Sequence, residues 1–325
     1  MLISKYSLLL ICVLRLITNE LFAQDYPTRP VRLIIGAESG GAPDTVARLI
    51  AHQLTVQTGQ SFYVDSKPGA TGNIGSDFVA KAIPDGYTLL VTSAQFAVSP
   101  SLYKLPFNIH EDFLPITNIA TGAGFILLVN NLVKVGNVKD LISLIKTPGS
   151  NISYSSPGHG NPLHLAGALF GDQLGVQMIH VPYKSGGAAL TALLSGQVQV
   201  MFGTSLTTLA QIQAGKLHAL AYTGASRAIF LPNVPTIAEE GLPEAQLENM
   251  SWYGILAPAK LPYSIALKIH RDIFKAIQNP IVKERLETLG LTPLASSPKE
   301  FKSFLVIQIK RYSELIKIAG VKSEQ

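Results

Sequence analysis

Short apolar runs, small-residue loops and segments with apolar positions every three or four residues alternate along almost the whole chain. Val31 to Ile35 has the length and content of a strand, and residues 36–44 (GAESGGAPD) form a small-residue loop. Val46, Leu49, Ile50 and Leu54 then lie on one face of a helix over 45–57, with Asp44 as its expected N-cap. Phe62 to Asp65 is the next strand. From Ser66 to Leu90 one complete unit follows: Pro68, Gly69, Gly72 and Gly75 punctuate a loop, and Ile74, Phe78, Val79 and Ala82 recur at helical spacing. Pro84 ends that helix, Asp85-Gly86 turns the chain, and Tyr87 to Thr92 reads as a buried strand.

The same grammar continues. Residues 93–100 read as a loop, 116–120 and 125–130 as strands, and 138–146 as a helix capped by Asn137 with Asp140 in its first turn. The middle third gives a strand at 152–154, a loop at 155–162 and a helix at 163–174. A strand at 178–181, a loop at 182–187 and a helix bearing Leu190, Leu193 and Leu194 follow, and a strand at 198–202 opens into Gly203-Thr204-Ser205. The last third gives strands at 217–223 and 251–257, a short helix at 235–241 closed by Gly241, and a helix at 264–278 expected to bury Leu267, Phe274 and Ile277. A final helix opens with a capping box at Ser297-Pro298-Lys299-Glu300 and is closed by Gly320.

This alternation predicts α/β layers with mostly parallel sheets, in which the loops that follow the strands gather at one edge. A glycine loop feeding a helix leaves backbone N–H groups pointing outward with the positive end of the helix dipole behind them, so it can hold a small anion without a charged side chain. One such loop alone reads as a tight turn. Three or four of them predict a pocket of amides and hydroxyls between two α/β lobes.

Length and composition narrow the classes. The chain has 325 residues, 47% hydrophobic and 14% charged, enough for about two domains of roughly 150 residues each. Residues 1–23 read as an export leader: Lys5 supplies a positive start, Ser7 to Leu14 an apolar core, and Leu21-Phe22-Ala23 a cleavage site. Its apolar run is far shorter than the roughly 20 residues needed to span a bilayer. Cys12, the only cysteine, lies inside it behind Leu10-Ile11, which are not the small residues of a lipoprotein site. Cleavage near Ala23 or Gln24 leaves a chain without disulfide or thiolate chemistry. It also removes Lys5, Arg15 and Glu20, changing the formal charge from +5 to +4. The remaining basic residues are scattered, or spaced along one helix from Lys299 to Lys317, and no nucleic-acid partner is expected.

Enzyme signatures are wanting. His159 and His164 have no carboxylate or cysteine at ligand spacing, so no metal is expected. Residues 203–207 lack the second glycine of a nucleophile elbow, Gly215-Lys216 is no phosphate loop, and Gly122-Ala123-Gly124 is no dinucleotide fingerprint. Neither a cofactor nor catalysis is expected.

Eight motifs then appear in register: Tyr26-Pro27-Thr28-Arg29-Pro30-Val31-Arg32; Gly40-Gly41 with Asp44 and Ala47-Arg48; Lys67-Pro68-Gly69 through Gly75; Pro84-Asp85-Gly86-Tyr87-Thr88-Leu89; His180-Val181-Pro182-Tyr183-Lys184; Ala214-Gly215-Lys216-Leu217; Val234-Pro235-Thr236 with Glu239 and Gly241; and Trp252 to Pro258. With these the whole mature chain resembles the substrate-binding proteins of tripartite tricarboxylate transporters, the Bug receptor family of bacterial periplasms. The resemblance implies a two-lobe, type II periplasmic-binding fold that closes on a small organic acid, held by backbone amides, hydroxyls and ordered water. It also implies a soluble periplasmic monomer whose partners are a large and a small integral membrane subunit.

By position, the resemblance places the ligand on Ser39, Gly40 and Gly41; on Thr71, Gly72 and Asn73; and on Ser93 and Gln95. In the second lobe it implies Ser155, Ser156, Gly158 and His159, then Ser185, Gly186 and Gly187, with Thr204 and Ser205 at the far wall. Lobe 1 is expected over 24–123 and 224–325 and lobe 2 over 124–223, with hinges near 121–124 and 223–225.

Three positions depart from the family pattern. The first loop reads Gly36-Ala37-Glu38-Ser39 where prolines and an aromatic are usual, Ser185 stands where glycine is frequent, and Gly203 where an acidic residue is common. Glu38 beside the pocket would repel a second acid group or pair with an amine, which suggests a ligand less acidic than citrate, such as an amino acid or an aromatic monoacid. An orphan or signalling binding protein, working with a membrane sensor, would share the same fold.

Overall fold

The structure, a computed structural model, describes residues 26–323. The expected export leader lies outside the described residues.

Two sheets organise the chain. The first contains β1 (Val31–Ile35), β2 (Phe62–Ser66), β3 (Thr88–Ser93), β4 (Phe113–Gly122), β10 (Ser251–Pro258) and β11 (Thr292–Pro293), in the order β11-β4-β10-β3-β1-β2. The second contains β5 (Ile126–Asn130), β6 (Ser153–Ser156), β7 (Ile179–Pro182), β8 (Val200–Gly203) and β9 (Leu217–Tyr222), in the order β7-β6-β8-β5-β9. The chain therefore passes from the first sheet to the second between Gly122 and Ile126, and returns between Tyr222 and Ser251.

Both sheets are mixed rather than mostly parallel. β1 pairs parallel with β2 and β3, and β6 with β7 and β8, whereas β10 runs antiparallel to β3 and β4, and β5 to β8 and β9. The crossovers impose this. β1, β3, β6 and β8 end at the gap between the lobes, but β5 and β10 are entered from that gap and so begin there. Val31, Leu33, Ile34 and Ile35 are buried on both faces of the first sheet, as parallel strands under two helical layers require.

Helix boundaries differ from expectation where tertiary contacts take over. The helix α1 (Ala42–Thr58) starts earlier than expected, with Gly41 as its N-cap. Asp44 lies inside the first turn instead, where its carboxylate accepts the Gly40 N–H at 2.9 Å and pairs with Arg48 at 2.9 Å. Pro43, which has no N–H to lose, fits that first turn. Beyond α2 (Asn73–Ala80), the segment expected as a loop at 93–100 is the helix α3 (Gln95–Leu102), with Pro100 in its last turn. Phe96 is buried there against Phe107 and Phe113, at 6.4 and 5.1 Å between ring centroids, and this burial outweighs the proline.

In the second lobe α4 (Val138–Lys146) is capped by Asn137, whose side chain accepts the Asp140 N–H at 2.9 Å. Next come α5 (Pro162–Gln173), α6 (Gly186–Leu194) and α7 (Ser205–Gln213). The segment 235–241 is a single turn closed by Gly241, not a helix, because Tyr222 at the sheet edge bonds Pro235 and Ile237 at 2.8 Å each. In α8 (Tyr263–Gln278) the buried face is Ala266, Ile269, Ile273, Ala276 and Ile277; Leu267 and Phe274, expected inside, are 39% and 44% exposed. After α9 (Pro280–Thr288), α10 (Pro298–Ile318) opens with the expected capping box. It packs on α3 and β4 of the first lobe and on α5 of the second. Its Tyr312 hydroxyl donates to Met250 O at 2.6 Å, behind the returning crossover.

Candidate functional site

A cleft of about 440 Å³ lies between the two sheets and draws its lining from both lobes. The loop after β1 contributes Gly36, Ala37, Glu38 and Gly41, the loop after β2 Pro68, Gly69, Thr71 and Gly72, and the end of β3 Ser93, Ala94 and Gln95. Facing them are Pro157, Gly158 and Asn161 after β6, Lys184, Ser185 and Gly186 after β7, and Thr204 and Thr207 after β8. Each of these six loops opens a helix, so six helix N-termini converge on one cavity. Each terminus carries unpaired amides and a partial positive charge of about half a unit.

Two of the termini use side chains as caps: Asn161 accepts from Leu163 N, and Ser185 from Ala188 N. Gly41 and Thr204 make no side-chain capping bond. The first two loops touch backbone to backbone, since a Cβ at Gly36 would lie 2.6 Å from Gly72 Cα. The loop after β1 is pinned on both sides of Glu38: Ala37 O accepts the Ser66 hydroxyl at 2.6 Å, and the Gly40 N–H bonds Asp44. Glu38 and Lys184, exposed on opposite walls, are the only formally charged residues of the lining among the described residues.

Of the residues singled out in the sequence, Glu38, Gly41, Thr71, Gly72, Ser93, Gln95, Gly158, Ser185, Gly186 and Thr204 line the cleft. The rest stand behind or beside it. Ser39 and Gly40 are the exposed tip of the first loop, and Asn73 is buried beneath the second. Ser155 and Ser156 are buried in β6, where the Ser155 hydroxyl donates to Ala189 O at 3.0 Å. Gly187 follows Gly186 into α6, and Ser205 Oγ reaches across to Leu289 O of the other lobe.

Sequence reasoning missed the floor. Phe125, Met250, Trp252 and Tyr253 close the cleft from the starts of the two crossing segments, with Leu163 beside them. Burial holds the Tyr253 phenol up at about 12, so it stays neutral. The signal for this floor was the run of apolar residues at each crossover, which reads locally as ordinary strand core.

Three imidazoles pack behind the loop after β6. His164 in the first turn of α5 stacks on His180 of β7 at 3.8 Å and 14°, and its ring lies 5.0 Å from that of His159, tilted by 43°. His164 Nδ1 accepts the Gly160 N–H at 2.9 Å, and His180 Nε2 meets Ser156 Oγ at 2.6 Å. Burial and the neighbouring rings push His164 down to about 3 and His180 to about 4. Among the described residues no group of three His, Cys, Asp or Glu is disposed to hold a metal ion.

The same architecture is found in known proteins. The sequence model of the tripartite tricarboxylate transporter family receptor matches residues 46–321. The chain belongs to that receptor family. The protein BugT of Bordetella pertussis is 32% identical to this receptor over 303 residues, 92% of each chain. The solved structure of Rpa4515 from R. palustris, which holds adipate, is 30% identical with a TM-score of 0.87, covering 92% of this receptor and all of that chain. MatC (Rpa3494) from Rhodopseudomonas palustris, with bound malate, is 28% identical with a TM-score of 0.81, covering 90% of this receptor and 100% of that chain. No helix among the receptor's described residues is long and apolar enough to cross a membrane.

Proposed function

We propose that this receptor captures a small organic acid in the cleft and delivers it, in the periplasm, to the large and small membrane subunits of a tripartite tricarboxylate-type transporter. The observation that carries this reading is the convergence of six helix N-termini on one cavity with an apolar floor. A carboxylate is stabilised at such termini by several N–H donors at once, and no buried lysine or arginine is needed. The hydroxyls of Thr71, Ser93 and Thr204 and the Gln95 amide add donors, while Phe125, Leu163, Met250 and Trp252 receive the carbon skeleton. Related receptors hold adipate and malate, acids of a size that such a cleft admits.

Delivery follows from closure. The crossovers at 123–125 and after Tyr222 act as hinges, so that ligand held between the walls draws the two lobes together. Glu38 on the rim disfavours ligands that place a second carboxylate near it, and this selects acids less charged than citrate.

Native mass spectrometry of the freshly purified chain, followed by thermal-shift titration with adipate, malate, citrate and benzoate, tests the reading. A bound acid that leaves chemically unchanged, or a rise in melting temperature with one of these acids, supports it. Binding at 100 times Kd stabilises by about 2.7 kcal/mol. An empty cleft and no shift with any of them would overturn it.

A further inference from the structure

The loop 157–161 presents Pro157, Gly158 and Asn161 to the cleft, yet its shape is held from behind. Gly160 N–H donates to His164 Nδ1 at 2.9 Å, so Nδ1 carries a lone pair and the ring's proton sits on Nε2. The Gly158 N–H donates to Ser156 Oγ at 3.2 Å, and Ser156 Oγ in turn meets His180 Nε2 at 2.6 Å. The Ser156 hydroxyl donates to Gly158 O at 2.9 Å, and the His164 and His180 rings are stacked on each other. A proton added to His164 must go on Nδ1, where it turns the acceptor into a donor aimed at the Gly160 N–H. The groups facing His164 are the imidazoles of His159 in the loop and His180 on β7, and the phenol of Tyr154 on β6, which donates to His164 O at 3.3 Å. The two imidazoles raise the cost of placing a charge there.

We propose that His164 is the positioning residue of the second lobe's ligand loop: as a neutral acceptor it fixes Gly160, and with it the cleft-lining Gly158 and Asn161, and on gaining a proton it releases them. Only the purpose of the loop rests on the receptor reading; the role of His164 within the loop does not. In this account the rear of the loop, rather than any residue in contact with ligand, sets its acid sensitivity.

The full chain carrying His164→Asn or His164→Phe tests this. Asparagine keeps an acceptor near the Nδ1 position but cannot titrate, whereas phenylalanine removes the acceptor and leaves the Gly160 N–H unpaired. Nitrogen NMR of wild type should find His164 as the neutral Nε2–H tautomer from pH 7 down to pH 5. Protection of the Gly160 amide from hydrogen exchange should fall about tenfold or more in His164→Phe and be largely restored in His164→Asn. With adipate as probe, affinity at pH 7 should follow the same order, and the loss of affinity on acidification towards about pH 3, where His164 gains its proton, should be smaller in His164→Asn than in wild type. A proton on Nδ1 in wild type, or unchanged Gly160 protection in His164→Phe, would overturn the proposal. Should adipate bind none of the three proteins, the tautomer and exchange results still decide it, and the failure counts against the receptor reading instead.

Discussion

Gly124 and Gly224 lie against each other where the chain crosses between the lobes: a Cβ on Gly124 would stand 2.4 Å from the Gly224 backbone nitrogen. The neighbouring residues lock this contact, with Phe125 N–H donating to Thr223 Oγ1 and Thr223 N–H to Phe125 O, each at 2.8 Å. The start of β5 and the end of β9, where the chain links the lobes, are thus zipped together. Gly124→Ala forces them apart and is expected to cost on the order of 1–3 kcal/mol of stability. Chemical denaturation of the variant checks the cost. Small-angle scattering, with and without saturating ligand, checks whether closure is lost with it.

Trp252 is the chain's single tryptophan, fully buried on the cleft floor and edge-on to the rings of Phe301 and Phe304 at 5.8 and 5.6 Å. Its emission is expected to change in wavelength or intensity when an acid fills the cleft. Titration followed by selective excitation of this tryptophan should give a Kd that agrees with the one from the thermal shift.

Stability should fall as acid is added, starting well above the carboxylate range. The folded His164 and His180 sit near 3 and 4, below their ordinary 6.5, so the unfolded chain takes up protons first as pH drops. Their contribution is complete above pH 6.5 and is lost as pH falls, down to about 4 for His180 and about 3 for His164. Each group lowers stability by at most about 1.4 kcal/mol per pH unit in that window, and the half-buried His180 by less. Melting temperatures from pH 7 to 4.5 should decline, and more gently in His164→Asn.

Removing the rim charge should alter selectivity more than stability. Glu38→Gln is expected to change melting temperature little, because the residue is exposed. It should tighten citrate several-fold relative to benzoate, since the repulsion at an exposed rim is screened and modest. Paired titrations on wild type and variant check this; an unchanged ratio would remove Glu38 from the selectivity argument.

The parts of the fold legible in the sequence are those set by neighbours along the chain. The Asn137 cap, the capping box at Ser297 and Glu300 and the glycine loops need only a few adjacent residues. The helix at Gln95–Leu102 was hidden because its stability comes from Phe107 and Phe113, beyond its own turns. Ser155 and Ser156 read as loop because strand pairing with Val181, Pro182 and Met201 is invisible locally. Of the cleft, the loops could be read but not the floor, since Phe125 and Trp252 meet only when both crossovers are in place.

The six converging helix ends also have an evolutionary consequence. An amide N–H belongs to the main chain and survives nearly every substitution, so the hold on an acid group is inherited with the fold itself. The side chains at the rim and floor are then free to vary. New diets of related acids can be acquired by changing a handful of residues, while the grip common to all of them is left untouched.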